Sequence, residues 1–158
     1  MGRILVFSTL LLLMGAGVAT GQTIPFGVRA GLGNNPDQFI VGGHARVAEP
    51  VIGWKIQPVF ELGFGDDITT MAISGDMLYM FPELQTSEWG LYAGGGFGFV
   101  NYSWDVGHPG GNDSKSEFGL NLVGGVIKQL GSANEFIGEL RIGLGDVPDL
   151  KLMAGIYF

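Results

Sequence analysis

The sequence contains no cysteine, so no disulfide staples the fold, a constraint that matters once the chain is read as exported. Charge is scarce: Asp, Glu, Lys and Arg make up 15% of residues, about ten points below the usual globular share. Cations are the scarcer sign, 8 Lys and Arg against 15 Asp and Glu for a net charge of −7. With a pI near 4.6 and no basic stripe, nucleic acid is not an expected partner. Beyond the N-terminal segment no apolar run approaches the about 20 residues of a spanning helix. Helical periodicity is weak, and each of the 29 glycines would weaken a helix by about 1 kcal/mol relative to Ala.

What is present begins with an export signal. Met1-Gly2-Arg3 carries one positive charge, Ile4 to Met14 is apolar apart from Ser8 and Thr9, and Ala19-Thr20-Gly21 supplies small residues for a cleavage site. Residues 1 to 21 read as a secretory signal peptide and 22 to 158 as one mature domain. A hydrophobic content of 46% excludes disorder. An apolar, weakly charged, exported chain without spanning helices points to a β-structure that meets lipid.

From Ile24 onward, segments of about ten residues alternate apolar with polar or small side chains, each closed by Gly, Pro, Asn or Asp. Eight strands are predicted, over 24 to 32, 38 to 47, 51 to 63, 67 to 80, 89 to 102, 116 to 128, 135 to 144 and 149 to 158. Only one break, Trp104 to Lys115, is long enough to project. The fold class expected is all-β, an eight-stranded antiparallel up-and-down transmembrane barrel.

Within each strand one face is uncharged. Phe136, Gly138, Leu140, Ile142 and Leu144 oppose Glu135, Ile137, Glu139, Arg141 and Gly143; Trp54, Ile56, Pro58, Phe60 and Leu62 oppose Lys55, Gln57, Val59 and Glu61. The second faces together carry Arg29, Arg46, Lys55, Arg141 and Lys151 against Glu61, Asp76, Glu117, Glu135 and Glu139. Such a balanced set suits a closed, narrow lumen, where an unpaired charge costs several kcal/mol. These ten form the candidate lumen ion network. Gly90, Gly94, Gly96 and Gly98 on the inner face of the fifth strand would leave room for the long charged side chains. Aromatics gather near segment ends: Phe26, Trp54, Phe81, Trp89, Phe136 and Phe158 toward one rim, Phe39, Phe60, Tyr102, Trp104 and Phe118 toward the other. Paired aromatic girdles flank the apolar band of an outer-membrane barrel.

The signal segment, the eight alternating stretches and the ending Glu-Leu-Arg-Ile-Gly-Leu-Gly-Asp-Val-Pro-Asp-Leu-Lys-Leu-Met-Ala-Gly-Ile-Tyr-Phe resemble the small outer-membrane barrels of Gram-negative bacteria, of the OmpA, OmpX and opacity-protein type. The resemblance implies an outer-membrane location, contact with lipid and lipopolysaccharide, and a monomer without cofactors. It also implies that Ile156 and Phe158 act as the signal read by the barrel-assembly machinery. Long adhesive loops and a peptidoglycan-binding domain are not expected.

Two alternatives stay open. A soluble lipocalin-like barrel carrying a small apolar ligand would invert the faces and place Phe60, Leu140 and Ile142 inside. A lipid A-modifying barrel enzyme would need a His with Ser and an acidic partner. His44 falls in the half away from such a substrate and is expected to hydrogen-bond in the lumen, while His108 has Asp113 and Ser114 nearby but stands on a Gly-rich loop. Gly94-Gly95-Gly96-Phe97-Gly98 lacks the helix and spacing of a dinucleotide loop, and Gly107 to Lys115 lacks the Gly-Lys-Ser/Thr of a phosphate loop. No aspartate run has calcium-loop spacing.

Overall fold

The computed structural model describes residues 24 to 105, 112 to 132, 134 to 145 and 147 to 158. The predicted signal segment, residues 1 to 21, and His108 lie outside them. Eight strands follow in chain order: β1 (Phe26–Asn34), β2 (Gln38–Ala45), β3 (Trp54–Gly65), β4 (Ile68–Met80), β5 (Trp89–Asp105), β6 (Asn112–Gln129), β7 (Glu135–Gly145) and β8 (Leu150–Tyr157). Each pairs antiparallel with the next, and β1 closes against β8 from Gly27↔Tyr157 to Asn34↔Leu150, making a closed barrel. Where all eight strands pair, closure leaves no free edge, the requirement for β-structure in a medium that cannot hydrogen-bond a backbone.

The barrel has two rims. One carries Phe26 and Phe158, whose rings lie 5.9 Å apart; we call it the terminal rim. The opposite, hairpin rim holds the β1–β2, β3–β4, β5–β6 and β7–β8 connections. There Asp67 takes a left-handed φ of 57° in the two-residue turn between β3 and β4. Turn residues Asn34 and Asn35 bond to Leu150 N–H and to Asp149, at 2.9 and 2.6 Å, and tie the seam together at this rim.

Two predicted boundaries change for physical reasons. β2 ends at Ala45 and β3 begins at Trp54, because pairing steps from His44↔Val59 to an isolated bridge at Ala48↔Ile56. One extra residue on the β2 side makes a bulge there, opposite Pro58, which has no N–H to give a ladder. Within the stretch from Trp104 to Lys115, expected to project as a loop, the described residues 104, 105 and 112 to 115 are strand: β5 and β6 run to 17 and 18 residues and pair as far as Asp105↔Asn112. A polar face sustains this extension, where Asn101 donates to Ser116 at 2.9 Å. On the opposite face Tyr102 and Trp104 stack at 5.9 Å.

Candidate functional site

Alternation decides which side chains enter the lumen. Gln57, Val59 and Glu61 of β3 are buried, while Phe60 is 44% exposed; on β7, Ile137, Glu139 and Arg141 are buried while Leu140 and Ile142 are 45% and 43% exposed. The inverted, lipocalin-like arrangement is thereby corrected, since Phe60, Leu140 and Ile142 stand on the outer wall. That wall also presents Phe39, Phe64, Phe97, Phe99, Phe118, Leu120, Leu122 and Leu152, all exposed. No medium but lipid or detergent makes such a continuous apolar surface favourable.

Inside, six of the ten expected charges meet in one network at mid-height. Arg29 donates to Glu139 at 2.6 Å and reaches Glu61 at 3.5 Å. Arg141 donates to the same Glu139 oxygen at 2.6 Å and also pairs with Asp76. Lys151 donates to Glu61 at 2.6 Å, and Tyr92, absent from the sequence-derived set, donates its hydroxyl to the second Glu139 oxygen at 2.7 Å. Three cations thus face three carboxylates away from water, an arrangement that offsets the desolvation of each.

The other four expected members lie elsewhere. Arg46 and Glu135 pair at the terminal rim, with the Arg46 guanidinium 4.0 Å above the Tyr157 ring. Lys55 turns out of the lumen to Glu49 of the β2–β3 connection. Glu117 pairs with Lys115 at the hairpin rim. Parity alone gives the side of the wall on which these side chains stand and carries no measure of height along the barrel. His44 is a further correction: its ring lies 4.2 Å from Tyr157, and among the described residues neither nitrogen has a hydrogen-bond partner.

Above and below the charges the lumen holds two apolar clusters beside buried polar side chains such as Gln38, Thr70 and Gln57. Leu78, Tyr92, Val123, Ile127, Ile137 and Tyr157 cluster in the half toward the terminal rim. Ile68, Ala72, Val100, Tyr102 and Val147 cluster toward the hairpin rim, with Trp104 packed against them. Tyr102 and Trp104 therefore belong to the lumen, not to the aromatic girdle they were expected to join; the same parity that turns Val100 inward carries them in. Phe60 sits at mid-height opposite Ile73, so it too leaves the girdle. The girdle at the terminal rim does form contacts: Trp54 lies 5.2 Å from Tyr79, Tyr79 meets Phe81 edge-on at 5.2 Å, and Lys128 stands 4.9 Å over Trp89.

Inner-face glycines make the filling possible. A Cβ on Gly96 would stand 2.5 Å from the Asp76 carboxylate, and one on Gly125 2.5 Å from the Tyr92 hydroxyl. The room expected beside the long side chains is already occupied.

An outward apolar wall around a filled, charge-paired lumen defines the class: a closed eight-stranded antiparallel barrel of the transmembrane type. No family model and no curated protein sequence matches the chain. Among solved structures, the N-terminal β-barrel domain of Pseudomonas aeruginosa OprF aligns over 85% of this chain and 95% of its own, at 12% identity and a TM-score of 0.70. Neisserial surface protein A aligns over 85% and 94%, at 14% identity and a TM-score of 0.67. The Yersinia pestis outer membrane protein Ail in a phospholipid nanodisc covers 86% and 99%, at 14% identity and a TM-score of 0.50. At these identities the likeness establishes the fold, that of the small outer-membrane barrels.

Proposed function

We propose that this chain is an integral protein of the bacterial outer membrane, with a structural or surface-interaction role and no wide pore. The observation that carries the reading is the opposition of the two walls: exposed Phe and Leu outside, and inside a lumen blocked at mid-height by Arg29, Arg141, Lys151, Glu61, Asp76 and Glu139. Eight strands enclose only enough space for side chains, and these fill it. Residues 1 to 21 would direct export, leaving 22 to 158 as the barrel. The terminal rim would face the periplasm and the β5–β6 hairpin the outside, in contact with lipopolysaccharide, as in barrels whose longest connections are extracellular.

The reading is non-enzymatic and monomeric. His44, buried against Tyr157, is placed for packing rather than for activating a nucleophile. At the end of β8, Ile156 and the following Phe158 occupy outward positions between Phe136, Val28 and Phe26; we assign them as the signal read during insertion. The deciding experiment is fractionation with a heat-modifiability gel. The protein should sediment with outer membranes and migrate faster unheated than boiled. Recovery as a soluble monomer in plain buffer would overturn the reading.

A further inference from the structure

The β5–β6 hairpin outlasts its neighbour. β6 pairs with β5 up to Asp105↔Asn112, but with β7 only from Gly119↔Gly145 onward. β7 stops at Gly145, which takes a φ of 101°, and Val147 is buried in the hairpin-rim cluster beside Gly119. Among the described residues, no strand covers β6 from Ser114 to Phe118 on that side. The direction of its backbone groups follows from the ladder. Gln129 N–H donates to Glu88 on the β5 side and Leu130 N–H to Asn134 on the β7 side. Since the register is unbroken, odd-numbered residues bond β5 and even-numbered ones point the other way. The amide and carbonyl of Ser114 and of Ser116 therefore face an open edge.

This edge stands clear of the apolar band. Outward-facing Phe97, Phe99 and Phe118 are exposed, and one step beyond them the same wall turns to Asn101, Ser103, Ser114 and Ser116, where Asn101 donates to Ser116 and accepts from Ser103. Around it the rim is acidic: Asp37, Asp66, Asp67, Glu117 and Asp149 face a single Lys115 among the described residues.

We propose that Ser114 to Glu117 of β6 is a strand-addition site for an extended, Lys- or Arg-rich segment of a partner polypeptide. An unpaired edge supplies main-chain hydrogen bonds to any extended chain, and flanking charge selects among them. A second copy is a poorer occupant. Two barrels inserted the same way round present β6 running in the same direction, the less stable parallel pairing, and their acidic rims repel.

The assignment rests on the membrane orientation proposed above, and the test separates the two. The full chain is inserted into lipid nanodiscs and its folding checked by heat modifiability. A fluorescent ten-residue alternating Thr-Lys peptide is then titrated by anisotropy, with amide exchange read at Ser114 and Ser116. Saturable binding with new protection of both amides is expected. Ser116→Ala should bind as wild type. Ser116→Pro removes an edge donor but no β5 ladder bond and should weaken capture about tenfold or more. An inserted, folded barrel that shows no binding overturns the strand-addition site alone, as does equal binding by Ser116→Pro, which would reduce the effect to rim charge. Amides already protected in the free protein would show the edge to be covered, with the same consequence. Failure to insert would overturn the membrane reading and this site together.

Discussion

The two faces of the barrel wall solve opposite problems with the same residue. On the lumen side a Cβ at Gly96 would come within 2.5 Å of Asp76 Oδ1 and 2.7 Å of its Cα. On the outer side Gly124 has open space around that position, and Gly75 meets only the tip of the Phe97 ring at 4.0 Å. Inside, glycine is dictated by close packing of long charged and aromatic side chains in a narrow tube. Outside, nothing in the chain itself requires it. The inner face is therefore a specified packing problem, and the outer face a solvent match that needs only apolarity.

That difference sets the scale of damage. The largest effect is expected from Glu139→Ala, which leaves Arg29, Arg141 and the Tyr92 hydroxyl without their shared acceptor. Breaking a buried pair from one side costs about 3 to 5 kcal/mol, measurable as a lowered urea midpoint in liposomes. Planar-bilayer recording should show raised conductance where the barrel survives. Wild-type stability and conductance together would mean that the network does not hold the lumen shut. Next comes Leu140→Arg, one residue along and on the other face. A charge on the lipid side near mid-height should cost about 2 to 4 kcal/mol, and an unchanged midpoint would refute the assignment of that wall. The glycines give a smaller contrast: Gly96→Val should destabilise by about 1 to 3 kcal/mol through overpacking, whereas Gly124→Val should be neutral or slightly stabilising. Equal losses at both would erase the distinction drawn between the faces.

Alternation made the walls legible without a structure. The side on which Glu61, Asp76, Glu139 and Arg141 stand follows from a period of two, which a closed barrel cannot slip without exchanging its faces. Height along the barrel was not legible, because strand tilt and register are set by neighbours distant in sequence. For that reason parity groups Lys55 and Glu117 with charges they never meet, whereas for Tyr102 and Trp104 parity points inward and proximity to a segment end alone suggests a girdle. The partner of each charge was equally hidden. Arg141 binds Asp76 across 65 residues, and no local pattern encodes a contact of that separation. Pro58 did carry a signal that could have been used: a residue without an N–H inside a strand marks an interrupted ladder, and the bulge at β2 lies opposite it.

The smallest expected effect concerns Lys55, the cation that left the lumen. Its partner Glu49 lies in the β2–β3 connection, outside the membrane-spanning strands, and also accepts the Gly53 N–H at 3.0 Å. The hydrogen bond from Lys55, then that from Gly53 and the Lys55 charge, hold its carboxyl below the ordinary carboxylate range. A carboxyl depressed in the folded state contributes stability that is present above its unfolded value and lost as pH falls through the folded one. Because Glu49 is exposed, solvent and salt screen this contribution. Glu49→Gln should leave the unfolding midpoint at neutral pH nearly unchanged, in contrast to Glu139→Ala. An NMR titration of Glu49 should place its pKa below that of free glutamate, moving upward in Lys55→Met. A wild-type value equal to free glutamate would show that Lys55 is not held there, and would return that cation to the lumen side of the comparison.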